Sequence, residues 1–291
     1  MKKIVLIGAA GGYGAQNHSC QDGPEVIRSF DFLEQIEDSG IPYHWDGIVH
    51  LGREKGKDAL SAVSEMCGLI AKKTEKAIRE GDFPIVLGGD HSCAIGTWSG
   101  VKSAIEGRLG LIWIDAHMDS NTFETSPSRA IHGMPLACLL GRGEEQLTHI
   151  ATRAPKLSPE DICLIGVRSF EEEEARLLKA LGVRIYFMDE IRRRGAREVL
   201  KEALFIVKRE TAGFGISIDL DALEPTEEPG VGSPVPDGML KDELAEALAP
   251  LRSDSKFLAL EIVEYNPYLD RNFTTARAVS DLIEAIAGNP L

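Results

Sequence analysis

Two imidazoles and four carboxylates, His91, Asp115, His117, Asp119, Asp219 and Asp221, stand in three short segments of this 291-residue chain. The segments are Asp90-His91, Asp115-Ala116-His117-Met118-Asp119 and Asp219-Leu220-Asp221. Such residues bind divalent cations when they are gathered at one point. Four carboxylates crowded together without cations would carry an electrostatic penalty of roughly several kcal/mol. Six donors exceed the needs of one ion, and neighbouring ions share bridging carboxylates, so the set points to two metals. Oxygen and imidazole donors without a thiolate suit Mn²⁺; Zn²⁺, Co²⁺, Ni²⁺ and Fe²⁺ are admitted on affinity alone.

The elements that must position these residues are legible as apolar runs. Each segment directly follows one, over residues 83–87, 109–114 and 214–218, and the carboxyl ends of parallel strands are where open sheets bind ligands. Along extended backbone alternate side chains share a face, which predicts Asp115, His117 and Asp119 on one side, and Asp219 with Asp221. Further strand-like runs lie at 4–7, 162–165, 184–187 and 258–262. Amphipathic helical stretches lie between them, including 59–79, 171–181 and 241–249. This alternation predicts an α/β fold with a mainly parallel sheet covered on both faces.

Gly88-Gly89-Asp90-His91-Ser92, Asp115-Ala116-His117-Met118-Asp119 and Ser217-Ile218-Asp219-Leu220-Asp221 together resemble motifs of the ureohydrolases, the arginase and agmatinase family of manganese enzymes. Gly23-Pro24 with Val26-Ile27-Arg28 resembles the family's opening segment, and Glu261 to Pro267 its final strand. The resemblance implies a three-layer α/β/α fold around an eight-stranded sheet, two Mn²⁺ per subunit, and trimeric or hexameric assembly. It places one metal on His91, Asp115, Asp119 and Asp219 and the other on Asp115, His117, Asp219 and Asp221. It also implies hydrolysis of a guanidinium group, water attacking the guanidino carbon and urea leaving from an amine, with L-arginine to L-ornithine and urea the leading reaction.

Other roles carry over by position. His132 falls where arginases place a proton shuttle, and an ordinary imidazole titrates near ~6.5, suited to transfer at neutral pH. Glu264 falls at the carboxylate that pairs with the substrate guanidinium, and Asp119 adds a hydrogen bond to the tetrahedral intermediate. Asn121 and Ser128 match the loop that contacts the α-carboxylate. Glu171 stands where an Asp faces the α-amino group, and Ser233 where a Thr lies near the guanidinium. Arg129-Ala130 departs from the usual Gly-Asn and offers a cation for a substrate carboxylate. The competing readings are hydrolysis of agmatine, a guanidino acid or formimidoylglutamate, a catalytically inactive metal-binding protein, and a deacetylase of related architecture, which uses one zinc.

Composition sets the outer bounds. The length and the 43% hydrophobic content suit one globular domain over residues 1–291, and no linker-like stretch divides it. A net charge of −14, from 46 acids and 32 bases, disfavours nucleic acid and anionic membranes as partners and suits a cationic small-molecule substrate. The opening Met1-Lys2-Lys3 precedes too short an apolar run for a leader or a span and reads as the start of a strand. Five scattered cysteines indicate reduced thiols and a cytoplasmic location. The Gly8–Gly14 run lacks the full spacing of a dinucleotide loop and reads as a loop at the rim of the site.

Overall fold

A computed structural model describes residues 3–29, 43–51 and 57–287; Met1 and Lys2 of the opening run lie outside them. Eight strands form one sheet: β1 (Ile4–Ala9), β2 (Tyr43–Val49), β3 (Phe83–Gly88), β4 (Arg108–Ile114), β5 (Ile162–Val167), β6 (Arg184–Phe187), β7 (Thr211–Asp219) and β8 (Phe257–Val263). Their order is β2-β1-β3-β8-β7-β4-β5-β6, and every pairing is parallel. All carboxyl ends therefore emerge on one edge of the sheet. The four central strands, β3, β8, β7 and β4, are neighbours there.

Strand parity divides the core into two layers. Ile4, Leu6, Ile112, Ile114, Ile216 and Ile218 share one cluster with Ile191, Leu200, Leu244 and Leu282 of the helices over that face. Val5, Ile7, Leu111 and Trp113 point the other way, towards Met66, Ile70, Trp98 and Leu178. Burial on both faces explains why these strands read as continuous apolar runs rather than alternating ones. The helix Ala59–Arg79 shows how its sequence sets its place. Asp58 caps it by accepting from Ser61 N–H at 2.8 Å, and buried Val63, Met66, Cys67, Ile70, Ala71 and Thr74 recur at three- and four-residue spacing.

The sequence reading named seven strand runs and missed β2. Tyr-His-Trp-Asp-Gly-Ile-Val is no continuous apolar run: His44, Asp46 and Gly47 interrupt it, six of its seven residues are only half-buried, and Gly47 takes a φ of 95°. It is an edge strand that pairs with β1 alone, so nothing demands a two-sided apolar pattern. No described helix is long and apolar enough to cross a membrane.

Candidate metal centre

Backbone turns at the sheet edge bring the six predicted donors together. His91 follows β3, Asp115 to Asp119 follow β4, and Asp219 ends β7. His91 Nδ1 lies 3.0 Å from Asp119 Oδ2, 3.1 Å from Asp219 Oδ2 and 3.3 Å from Asp115 Oδ2. His117 Nδ1 lies 3.0 Å from Asp221 Oδ2 and 3.5 Å from Asp115 Oδ1. The donor atoms fall into two groups, His91-Asp115-Asp119-Asp219 and Asp115-His117-Asp221, joined through Asp115. Asp219 belongs to the first group; its Oδ1 accepts Asp221 N–H at 2.9 Å.

Local geometry differs from simple extension. Asp221 sits in a 3₁₀ turn, Leu220–Ala222, that Asp219 caps, and this turn rather than strand alternation brings both carboxylates to one side. Asp119 has a φ of 48°, and Glu264, just past β8, a φ of 66°. Left-handed backbone at non-glycine residues is held only where surrounding contacts over-determine it, and it gathers at functional sites.

Burial makes the electrostatics severe. All four aspartates are less than one-tenth exposed and His91 is wholly buried. Burial disfavours charge on His91, yet Asp115, Asp119 and Asp219 hold it protonated far above the usual histidine range. Asp221 and Asp115 do the same for His117 against the same burial. Burial, then Asp115, pushes Asp119 up to about 6; burial, then Asp221 and Asp115, also raises Asp219. His91, His117, Asp119, Asp219 and Asp221 are thus shifted towards holding protons around an ionised Asp115, and buried carboxylates with imidazoles fit divalent cations that displace those protons.

His91 is oriented from behind. Its ring stacks on Trp113 at 4.2 Å, and Nε2 lies 3.1 Å from Ser217 Oγ, which donates to Glu261 Oε2 at 2.6 Å. Glu261 also accepts from Thr97 and from Trp98 Nε1. A chain of this kind fixes ring orientation in metal-binding histidines.

A cleft with about 590 Å³ of free space, partly open to solvent, lies above the donors. His117, Asp119, Asp219 and Asp221 form its floor, and Asn121, Ser128, His132, Glu171, Ser233 and Glu264 line it as well.

Comparison with known proteins agrees with this arrangement. The Arginase family model matches residues 2–288. An arginase of Bacillus caldovelox is 40% identical with both chains covered in full, and one of Bacillus subtilis (strain 168) is 39% identical over all of this chain and 99% of that one. The native Bacillus caldovelox arginase crystal structure superposes with a TM-score of 0.94 at 39% identity, both chains fully covered. This chain belongs to the arginase family.

Within that arginase-family cleft, the structure joins two residues that the sequence reading had kept apart. His132 Nδ1 lies 2.9 Å from Glu264 Oε1, which also accepts His91 N–H at 2.9 Å. Burial opposes charge on His132, but Glu264 raises the imidazole to about 10, so it is an acid at neutrality rather than half-titrated. Burial likewise opposes the ionised Glu264, and the imidazolium holds its carboxyl below the usual range.

Two further expectations change. Glu174, given no role in the sequence reading, is buried in the cleft wall, accepting from Ser120 N–H at 2.9 Å and Glu171 N–H at 3.0 Å. Burial, then contact with Glu171, pushes it up to about 8. Its signal was present: Glu171-x-x-Glu174 is a capping box at the start of the Glu172–Leu181 helix. Arg129 is exposed and lines a separate surface groove with Phe123, Glu124 and Glu144, while Ala130 faces the cleft. Of the two predicted carboxylate contacts, Ser128 lines the cleft and Arg129 the separate groove.

The remaining motifs are structural. Asp90 accepts from Gly14 N–H at 2.8 Å and from Ser92, outside both donor groups. The Gly8–Gly14 loop packs on Gly88-Gly89-Asp90, where a Cβ at Gly89 would come within 1.7 Å of Gly11 O. Asn121 Nδ2 donates to Glu171 Oε2 at 3.0 Å, tying two predicted substrate contacts together.

Proposed function

We propose that this protein is a binuclear manganese hydrolase that converts L-arginine and water to L-ornithine and urea. The observation that carries the reading is the pair of donor groups joined at Asp115 beneath a cleft whose wall holds Glu264 against His132. Family membership and full-length arginase relatives support the same activity.

When bound, two Mn²⁺ held by His91, Asp115, Asp119 and Asp219 and by Asp115, His117, Asp219 and Asp221 supply a nucleophile at neutral pH by lowering the pKa of water. The chain's own residues do the rest. Glu264, anionic and fixed by His91 N–H, pairs with the planar guanidinium through charge-assisted hydrogen bonds, and Ser233 borders it. Asp119 accepts a hydrogen bond from the tetrahedral intermediate. His132, already an imidazolium beside Glu264, donates its proton to the departing amine nitrogen. At the outer end, Glu171 accepts from the α-ammonium while Ser128 and Asn121 donate to the α-carboxylate. Glu171 reaches one methylene further than an aspartate, and its carboxylate is held by Asn121 Nδ2 at 3.0 Å.

Residues 1–291 form a single domain in this reading, supported by the one sheet and the family match. The five cysteines are buried and unpaired, which supports a cytoplasmic location. Trimeric or hexameric assembly is carried over from the family resemblance, and sedimentation of the manganese-loaded protein tests it. The substrate is tested by urea release from L-arginine, agmatine and guanidino acids and formamide release from formimidoylglutamate. L-Arginine is expected to give the highest kcat/KM. Preference for agmatine or formimidoylglutamate would replace it, and no turnover with two ions bound would leave an inactive metal-binding protein.

A further inference from the structure

We propose that Cys20 is a positioning residue for Glu264, its thiol donating to the one carboxylate oxygen that the catalytic histidine leaves free. Cys20 lies in the 3₁₀ helix His18–Asp22, is 1% exposed, and reaches Glu264 across 244 positions of sequence. Its Sγ lies 3.2 Å from Glu264 Oε2, within hydrogen-bond range for sulfur.

The other oxygen is already engaged. Oε1 accepts from His91 N–H and faces His132 Nδ1, each at 2.9 Å, and Glu264 N–H donates to Gly89 O at 2.7 Å. These contacts pin the backbone and one end of the carboxylate. The two oxygens turn together about the last side-chain bond, a broad torsion with no strong staggered preference, so a donor on Oε2 narrows the play that the contacts at Oε1 allow. Among the described residues, Oε2 accepts from Cys20. A thiol has a single proton; given to Oε2, it fixes the carboxylate plane and leaves a lone pair of that oxygen directed to the cleft. A fixed plane aims that free lone pair at an N–H of a planar guanidinium. Burial and the facing carboxylate both keep Cys20 in its thiol form, so the donor persists at working pH.

This inference rests on Glu264 meeting the substrate as proposed above, so its test reads the bond as well as the turnover. Three variants of the manganese-loaded protein separate donation from packing: Cys20→Val keeps the site filled with a slightly larger apolar side chain and removes the donor, Cys20→Ala removes donor and volume, and Cys20→Ser keeps a donor in a smaller, polar side chain. Losing one hydrogen bond to a carboxylate that binds ground and transition states alike raises KM by about five-fold with kcat nearly unchanged. Cys20→Val and Cys20→Ala are expected to show that rise, and Cys20→Ser to restore KM. A packing role predicts the reverse order, Val retaining function and Ser losing it, and that order would overturn the proposal.

The second readout needs no turnover. In infrared difference spectra of the parent protein against Cys20→Val, the S–H stretch of Cys20 is expected below that of a free thiol, moving up in Glu264→Gln. A free-thiol frequency in the parent protein removes the proposal even if L-arginine is hydrolysed. A lowered frequency in a protein that fails to hydrolyse L-arginine leaves the bond intact and rejects the substrate reading instead.

Discussion

At the scale of single residues, the chemistry rests on protons held where they are needed. His132 is half-buried against Glu264, whose carboxylate keeps it protonated at neutrality, so it can give a proton without first acquiring one. Replacing it should slow the chemical step and spare the metals: His132→Asn is expected to lower kcat by about 10²-fold with manganese content unchanged, measured by steady-state urea release and metal analysis. An unchanged kcat would remove His132 from proton transfer. The six candidate donors were legible in the sequence because acids and histidines directly after apolar runs have few other reasons to cluster. The contacts that tune them were not. Cys20 to Glu264, His132 to Glu264 and Ser217 to Glu261 join segments 44 to 244 residues apart, and no local pattern announces such pairs.

At the scale of elements, the site is an edge built by turns. Strands β3, β4, β7 and β8 carry the donors and Glu264 to one level, and the residues just beyond them aim the side chains. Arg168, after β5, braces the Asp221 turn: its guanidinium donates to the carbonyls of Asp221 at 2.8 Å, Val235 at 2.7 Å and Pro236 at 3.0 Å. A lysine cannot reproduce that fork. Arg168→Lys is expected to lower Tm by roughly 3–8 °C and to weaken manganese binding, read by thermal melts with and without metal. Equal melts would show that the turn holds itself. Sequence periodicity revealed the strands buried on both faces, since their runs are unbroken. It failed for the half-polar edge strand β2, and it assigned strand alternation to Asp219 and Asp221, which owe their shared direction to a capped 3₁₀ turn.

At the scale of the whole molecule, the layer architecture was readable from alternating runs and helices, but the strand order was not, because β8 inserts between β3 and β7 from the far end of the chain. Stability also carries a pH signature away from the centre. Glu228 is buried, one of its oxygens has no partner among the described residues, and burial raises its carboxyl to about 7. The folded state keeps this proton while the unfolded chain releases it near the ordinary value of 4.5, so stability falls as pH rises between the two. Glu228→Gln should therefore raise Tm at pH ~8 and change it little at pH ~5. A gain of equal size at both values would show that the carboxyl does not titrate in that window.

The central claim is that two cations sit side by side at the carboxyl edge of the sheet. Manganese anomalous diffraction from crystals of the metal-loaded protein tests it most directly. Two peaks about 3.5–4 Å apart are expected, one beside His91 and one beside His117, with Asp115 between them. A single peak, or two peaks away from these donors, would contradict the account.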